Sequence, residues 1–436
     1  MDRDAPAGPA EPVRPQAPEG SAEPAQGGGD RVLVLSPGVT LTLGRDALLM
    51  SGMASVTDEP IAIYEFSLRR LLLIPHAGAS GTPGSIPYYN ILWAEVTGDH
   101  RWLLIDYAGQ TGPHSLEVRS AKFAIPELVA EQTPAGVGDQ VAPWVGRLLD
   151  RAYEGSARRK RAWVLVNPHA GPGGAEKIWE KEVKPILEAA RMPITAVRTA
   201  YSGEAVTLAR DLNIEDYDIA IPCSGDGLPH EVFNGLAKRP DARRALSKIA
   251  VCHIPCGSGN AMSCNLYGTY RPALAALAIV KGVPTPLDLV SVTHGGQRTI
   301  SFLSQAVGLI AEVDLGTENM RWMGATRFTV GFLMLALQKK TYPCDIAVKV
   351  EIGHKDDVKK HYRQQVALRE AKASKKADKQ SEISPPAPSA AVDDGDMGLP
   401  PLRYGTSVDK LPEGWELIPH EKLGSFYCGN LYLTKT

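Results

Sequence analysis

The residues best placed to do chemistry lie in three glycine-rich stretches that each follow a short apolar run. Asn167 to Ala175 follows Trp163 to Val166, Ser224 to Gly227 follows Asp218 to Pro222, and Gly257 to Asn260 follows Ile249 to Ile254. Glycine lets main-chain N–H groups face an anion with no Cβ in the way, and in an open parallel sheet the ligand lies outside the carboxyl ends of the strands. Together the three stretches read as a phosphate cradle, with amides from Gly171, Gly173, Gly174, Gly257, Ser258 and Gly259. The middle one adds a carboxylate, Asp226, between Gly225 and Gly227. One Gly-Asp-Gly is more often a turn than a site, so its alignment with two other glycine loops is what points to chemistry. Phosphoryl transfer asks for neutralised phosphate oxygens, a held metal and a hydroxyl placed in line. Asp226 is then the candidate general base for an alcohol, with placement counting more than basicity.

Such loops need a sheet to hold them, and the sequence supplies its rhythm. After the first loop come a helical stripe (Ile178, Trp179, Val183, Ile186, Leu187, Ala190), a strand at Ile194 to Arg198 and a helix from Gly203 to Leu212. The Asp218 to Pro222 and Ile249 to Ile254 strands repeat the unit, each followed by a further apolar helical stretch. Strand and helix in alternation predict a largely parallel sheet covered on both faces, over residues 160–286.

The flanks differ. Residues 1–30 are Pro, Ala, Gly and Glu with almost nothing to bury and are expected to be disordered. Residues 31–155 hold short β-like segments, at Val32 to Leu35, Val39 to Leu43, Ala47 to Met50, Glu65 to Leu73, Ile91 to Val96, Trp102 to Tyr107 and Ser115 to Arg119. A helix presenting Trp144, Val145, Leu148, Leu149 and Ala152 on one face closes them, so a small barrel or sandwich with a capping helix is expected. Past Pro286 the pattern turns to strands without intervening helices, with a hairpin signal at Gly295-Gly296 and a long strand from Thr299 to Leu309. Residues 287–436 are therefore a second β-rich lobe, interrupted over 355–410 by a disordered insertion whose charged part, Lys355 to Lys379, suits a solvated helix. The fold class is α/β plus β. The basic run Arg158 to Arg161 reads as a solvated linker, with contact to anionic lipid as the alternative.

Composition excludes several classes. At 436 residues, 44% apolar and a net charge of −2, the chain is globular, longer than one ordinary core and without the basic field of a nucleic-acid protein. Its six cysteines form no paired framework and the N-terminus lacks the apolar stretch of a signal peptide, so reduced thiols and a cytoplasmic setting are expected. Cys252-His253-Ile254-Pro255-Cys256 sits in a strand pattern with no second ligand pair at finger spacing, and is read as structural. Phe328 to Leu337 stops short of the roughly eighteen apolar residues a spanning helix needs.

Ser224 through Leu236 resembles the nucleotide-binding core of the diacylglycerol and sphingoid-base lipid kinases, as do Pro255 to Ser263 and Asn167-Pro168 with its glycines. Ser304-Gln305 to Asp314, Glu318, Arg321 to Gly324 and Arg327-Phe328 narrow the likeness to sphingosine kinases, fungal long-chain-base kinases in particular. It covers about residues 160–350, and more loosely 31–155, where the fungal enzymes carry a leader similar to a pleckstrin-homology module.

The resemblance implies ATP and Mg²⁺ as cofactors and Asp226 as base. It implies nucleotide contacts from Asn167, Pro168, Gly171, Gly173, Gly174, Thr199, Ser224, Gly225, Gly227, Glu231, Gly257, Ser258 and Gly259, and arginines directed at the phosphates in Arg321 and Arg327. Glu231 could equally complement a helix dipole. Asp314, with Glu318 near it, is implied to anchor the head group. A carboxylate beside an apolar tunnel wants a cation, which a sphingoid amine supplies and diacylglycerol does not. The alternative for Asp314 is an ion pair with an arginine such as Arg321. Two departures stand out. Ala170-Gly171-Pro172-Gly173 replaces the usual Gly-Gly-Lys-Gly, removing a donor and a cation, and the C-terminal lobe of the family continues beyond Tyr427 to Asn430, so the lobe is expected to be incomplete here. The function implied is transfer of the ATP γ-phosphate to the primary hydroxyl of a sphingoid base by a peripheral membrane protein that binds no nucleic acid. A ceramide or diacylglycerol kinase, or a silent lipid-binding scaffold, are the alternatives.

Overall fold

The computed structural model describes residues 31–36, 39–52, 84–112, 114–126, 137–171, 173–324, 326–379 and 398–430. Expectations for residues 1–30, the Glu65 to Leu73 strand, Pro172 and the tract 380–397 lie outside them.

The first part is antiparallel. Strands β1 (Val32–Ser36), β2 (Val39–Leu43), β3 (Ala47–Ser51) and β4 (Ser85–Pro87) form one sheet in that order. β5 (Ile91–Val96), β6 (Trp102–Gly112) and β7 (Ser115–Ala124) form a second. Helix α1 (Val137–Ala152) follows, and Trp144, Val145, Leu148, Leu149 and Ala152 are all buried as its stripe demands.

The central sheet is parallel, in the order β11 (Ala250–Val251), β10 (Ile219–Ser224), β8 (Ala162–Val166), β9 (Ile194–Arg198), with β12 (Ile254–Pro255) also on β10. Every residue of β8 and β10 is buried, because helices cover both faces. Their side chains alternate between two cores. Ala162, Val164 and Val166 join one that continues through α1 into the antiparallel part, whereas Trp163 and Leu165 join another. The helices are α2 (Ala175–Ile178), continuing through a π turn into α3 (Lys184–Ala189), then α4 (Glu204–Arg210), α5 (Gly227–Ala237), α6 (Ala242–Lys248), α7 (Ala261–Tyr267) and α8 (Pro272–Lys281). The strand expected over Ile249 to Ile254 is split at Cys252-His253. Its partner β10 carries Pro222, which has no N–H to give the ladder at that level.

The basic run Arg158 to Arg161 is not a solvated linker. Lys160 is buried, and its Nζ donates to the carbonyls of Ile279 at 3.0 Å and Val280 at 2.8 Å and to Ser156 Oγ at 2.9 Å, capping the end of α8. Arg161 forks onto Asp218, and Arg158 pairs with Asp150. Lys281 carries α8 onward to the carbonyls of Ile91 and Ala152, and Arg191 bonds Glu95 at 2.7 Å, so the antiparallel part is tied to the parallel one by side-chain-to-backbone and ionic contacts as well as by core.

Past Pro286 the structure corrects the all-strand expectation. The hairpin β13 (Val290–His294) and β14 (Gln297–Ser301) turns at Gly295-Gly296, and β15 (Ser304–Gly308) follows. The chain then becomes helical, in α9 (Leu309–Gly316), a 3₁₀ turn (Glu318–Met323) and α10 (Thr326–Ala336). Gly308, at φ +85°, is the break. β16 (Cys344–Val348) pairs antiparallel with β17 (Glu416–His420), and β18 (Ser425–Gly429) returns to β15. Between β16 and β17 runs α11 (Lys355–Lys379), the helix expected for the charged part of the insertion. Asn234 on α5 joins the two parts by exchanging a pair of hydrogen bonds with the backbone of Ile300 in β14, at 2.8 and 2.9 Å.

Candidate active site

The three glycine loops leave the carboxyl ends of adjacent strands. β12, β10 and β8 lie side by side, and the ladder runs on into the loops through Cys256 N–H to Ser224 O (2.8 Å) and Asn167 N–H to Cys223 O (3.2 Å). The loops then touch backbone to backbone. A Cβ on Gly257 would lie 2.2 Å from Gly225 Cα, and one on Gly171, which sits at φ +55°, would lie 2.7 Å from Cys256 O. Alanine fits neither position without main-chain movement.

Beside this junction opens a cleft of about 400 Å³. Among the residues expected at the site it brings together Asn167, Gly171, Ser224, Gly225, Asp226, Gly227, Glu231, Gly257, Ser258, Gly259, Asp314, Glu318 and Arg327. Pro168, Gly173, Gly174 and Thr199 do not line it. Thr199 is buried and its N–H extends the sheet to Val166 O, while Gly173 N–H closes a turn onto Ala170 O. Gly257 N–H is likewise taken, by Asn260 Oδ1 at 3.0 Å, so two of the expected phosphate donors serve the loops themselves. Arg321 lies in the 3₁₀ turn between α9 and α10. Sequence reasoning missed Ser202, from the loop after β9, and Leu228 and Leu303. A polar residue next to a glycine carries little signal alone.

Asp226 is held by main chain. Its Oδ2 accepts from Ala261 N–H at 2.8 Å and its Oδ1 from Met262 N–H at 2.9 Å, the first amides of α7, and its own N–H donates to Gly259 O. The carboxylate thus satisfies donors that a helix end leaves unpaired and is fixed in place by them. Its side chain stays 21% exposed, on the cleft. Glu231 accepts from Gly203 N–H and Ala205 N–H at 3.0 and 3.2 Å, so it caps the neighbouring helix α4 rather than complementing its own.

Arg327 and Asp314, expected to face phosphate and amine separately, face each other. Arg327 Nη2 is 2.8 Å from Asp314 Oδ1, and Nη1 donates to Thr317 Oγ1 and Asp314 O. Arg327 is buried, whereas Asp314 keeps 64% of its side chain exposed. The ion-pair alternative for Asp314 is therefore realised, with Arg327 as partner. Asp314 also sits on α9 and not behind a strand.

Comparison with known proteins shows what this arrangement is similar to. Residues 161–292, which include all three glycine loops and Asp226, match the diacylglycerol kinase catalytic domain. Residues 31–154 match a domain of unknown function. The chain is 43% identical over 222 residues to sphingoid long chain base kinase 5 of Saccharomyces cerevisiae, covering 50% of this chain and 32% of that protein. It is 38% identical over 301 residues to sphingoid long chain base kinase 4 of Schizosaccharomyces pombe, covering 69% and 62%, and 36% identical over 192 residues to human sphingosine kinase 1, covering 42% and 50%. The chain thus spans less than two thirds of the length of these relatives. A diacylglycerol kinase from Bacillus anthracis superposes on 44% of this chain and 60% of its own, at 22% identity and a TM-score of 0.33. Among the described residues no helix is long and apolar enough to cross a membrane.

Proposed function

We propose that this chain is a lipid kinase that transfers the γ-phosphoryl group of ATP to the primary hydroxyl of a sphingoid long-chain base. The observation that carries the reading is Asp226, pinned by two helix amides at a cleft lined by three glycine loops. Triphosphate lies along the loops, with Ser224 and Ser258 and the unspent amides of Gly171 and Gly259 around it, and the acceptor hydroxyl meets Asp226. As the oxygen bonds to phosphorus, its proton passes to the carboxylate and ADP leaves. The relatives named as sphingoid-base and sphingosine kinases support the choice of acceptor. So does Asp314, whose exposed side chain leaves room for an ammonium while Arg327 holds Oδ1.

Mg²⁺ is expected with the nucleotide. Among the described residues no group of three or more His, Cys, Asp or Glu is arranged to hold a metal, and the carboxylates of Asp226, Glu231 and Asp314 already have protein partners. The residues present make no protein-only cage. Mg²⁺ prefers phosphate oxygens and water with one or two carboxylates, so it would arrive on the triphosphate, where it neutralises charge.

The acceptor is embedded in lipid, which places the work at a membrane surface. The second reading, a diacylglycerol or ceramide kinase, is favoured by the Asp314–Arg327 pair, which gives Asp314 a cationic partner without any substrate amine. Transfer of labelled phosphate from ATP to sphinganine tests both. Asp226→Asn should lower it by about 10²- to 10⁴-fold. Asp314→Asn should depress use of sphinganine while sparing diacylglycerol. Equal use of both lipids by the unsubstituted chain and by Asp314→Asn would transfer support to the second reading, and no transfer to any lipid would remove both.

A further inference from the structure

Behind Asp226, on the side away from the cleft, sits a histidine that the mechanism above does not use. His253 lies at the split between β11 and β12 and is fully buried. Its ring Nε2 is 3.0 Å from the carbonyl oxygen of Ser224, at the end of β10. A carbonyl only accepts, so Nε2 carries the hydrogen and the neutral ring presents a bare lone pair at Nδ1. Nδ1 is buried without a hydrogen-bond partner and lies 3.9 Å from Asp226 Oδ1.

An unpartnered acceptor inside a protein is costly, and here it faces a second acceptor. The gap is about 1 Å longer than a hydrogen bond. A proton on either group, with the gap closed by about 1 Å, would pair Nδ1 with Asp226 Oδ1. The reaction proposed above delivers one, because the acceptor hydroxyl must lose its proton as phosphorus is bonded. Resting on that reading, we propose that His253 is a positioning residue and proton acceptor behind Asp226: the proton taken from the acceptor hydroxyl is shared between Asp226 Oδ1 and His253 Nδ1 until product leaves.

The atoms balance without another reagent. The hydroxyl O–H bond breaks and its electron pair forms the new O–P bond. The bond from the γ-phosphorus to the β,γ-bridging oxygen breaks, ADP takes that electron pair, and the proton moves to Asp226 and on to Nδ1. It returns through Asp226 to solvent as the phosphorylated lipid departs. Ser224 O anchors the far side of the ring throughout, so a proton arriving at Nδ1 produces an imidazolium held between a carbonyl and a carboxylate, the two groups that favour it.

The surroundings suit a ring that is neutral at rest. Burial holds His253 below the ordinary histidine value, against the opposing pull of Asp226 and of the Ser224 carbonyl. The titratable groups around the pair are Asp226 on the β10–α5 turn, the neighbouring Cys252, and Cys264 and Tyr267 on α7, the last accepting His253 N–H at 3.3 Å. Burial keeps the three α7 and strand groups protonated at neutral pH, so Asp226 is the charge that His253 meets.

The first test needs no turnover. In the full chain labelled with ¹⁵N-histidine, the His253 ring should show the Nε2–H tautomer at pH 7.5, and its titration should move to lower pH in Asp226→Asn. An Nδ1–H tautomer, or a titration indifferent to Asp226→Asn, overturns the proposal. The second test is kinetic. His253→Gln keeps a donor within reach of Ser224 O but cannot take the proton, and His253→Asn, whose amide reaches only as far as the position of Nδ1, provides a second geometry. With sphinganine and ATP, kcat should fall about tenfold with both KM values within twofold, and the acid limb of the kcat–pH profile should lose the step that His253 contributes. A purely structural role would instead lower Tm and change kcat and KM together while leaving the shape of the pH profile intact, and that result also overturns the proposal. Should the unsubstituted chain transfer no phosphate, the lipid-kinase reading falls, and the imidazole spectrum alone decides whether the pair shares a proton.

Discussion

The two walls of the cleft are built by different means. On the glycine side, Gly171, Gly225 and Gly257 bring three loops into main-chain contact, and nothing larger than hydrogen fits between them. On the α9–α10 side, position is set by side chains. Arg327 is buried and grips Asp314 and Thr317, while Leu315, Trp322 and Leu337 are 71%, 74% and 84% exposed. On the reading proposed above, the difference matches two kinds of substrate. A triphosphate has one shape and rewards a rigid cradle of amides, whereas an acceptor drawn from lipid needs a surface that can yield and that tolerates apolar contact.

Gly257→Ala is the most direct way to break that contrast. Its Cβ would meet Gly225 backbone at 2.2 Å, so the loop must move. We expect a loss of at least about a hundredfold in kcat/KM, by displacement of Asp226, with about 1–3 kcal/mol of stability lost. Unchanged turnover with sphinganine would mean that the glycine wall is not rigid. Arg327→Met sharpens the other side. It releases Asp314 while filling much of the same space, so the KM for lipid should shift several-fold with the KM for ATP nearly constant. An equal shift in both would place Arg327 on the phosphates after all.

How much of this could be read in advance depends on the range of the contact. Apolar runs in β8 and β10, the stripe Trp144–Leu148–Ala152 and the turn at Gly295-Gly296 are local patterns, and they foretold elements close to those found. The end of the strand expected over Thr299 to Leu309 misled because a short apolar run fits strand or helix equally, and the φ of Gly308 that decides between them is not written in composition. The glycine loops could be named as a cradle, yet which amides were already spent, on Ala170 and Asn260, depends on turn closure. Lys160 looked like one more surface cation because the carbonyls it caps are more than a hundred residues away in α8. An arginine partner for Asp314 was legible as an alternative, but not that it would be Arg327, which needs α9 and α10 to be helices first.

A smaller effect bears on the glycine wall through pH. The unfolded chain binds a proton at His253 near the ordinary value of about 6.5, and the buried neutral ring binds it less readily. Stability from this group is therefore complete above about pH 6.5 and declines as pH falls below it. Thermal unfolding between pH 5 and 8 should follow that slope, and Asp226→Asn should steepen it by removing the carboxylate that favours the charged ring. A slope that His253→Gln leaves untouched would assign the dependence to other groups.

β16 and β17 pair residue for residue, from Cys344 opposite His420 to Val348 opposite Glu416, so the long excursion that carries α11 departs and rejoins at one spot. Chain added to or cut from such an excursion costs only the slowly growing entropy of closing a loop, about 0.6 kcal/mol for each doubling of its length. No described residue of that excursion lines the cleft. The excursion is a natural port for a grafted reporter, and a region whose size can drift between related proteins while the strands beneath it stay in step.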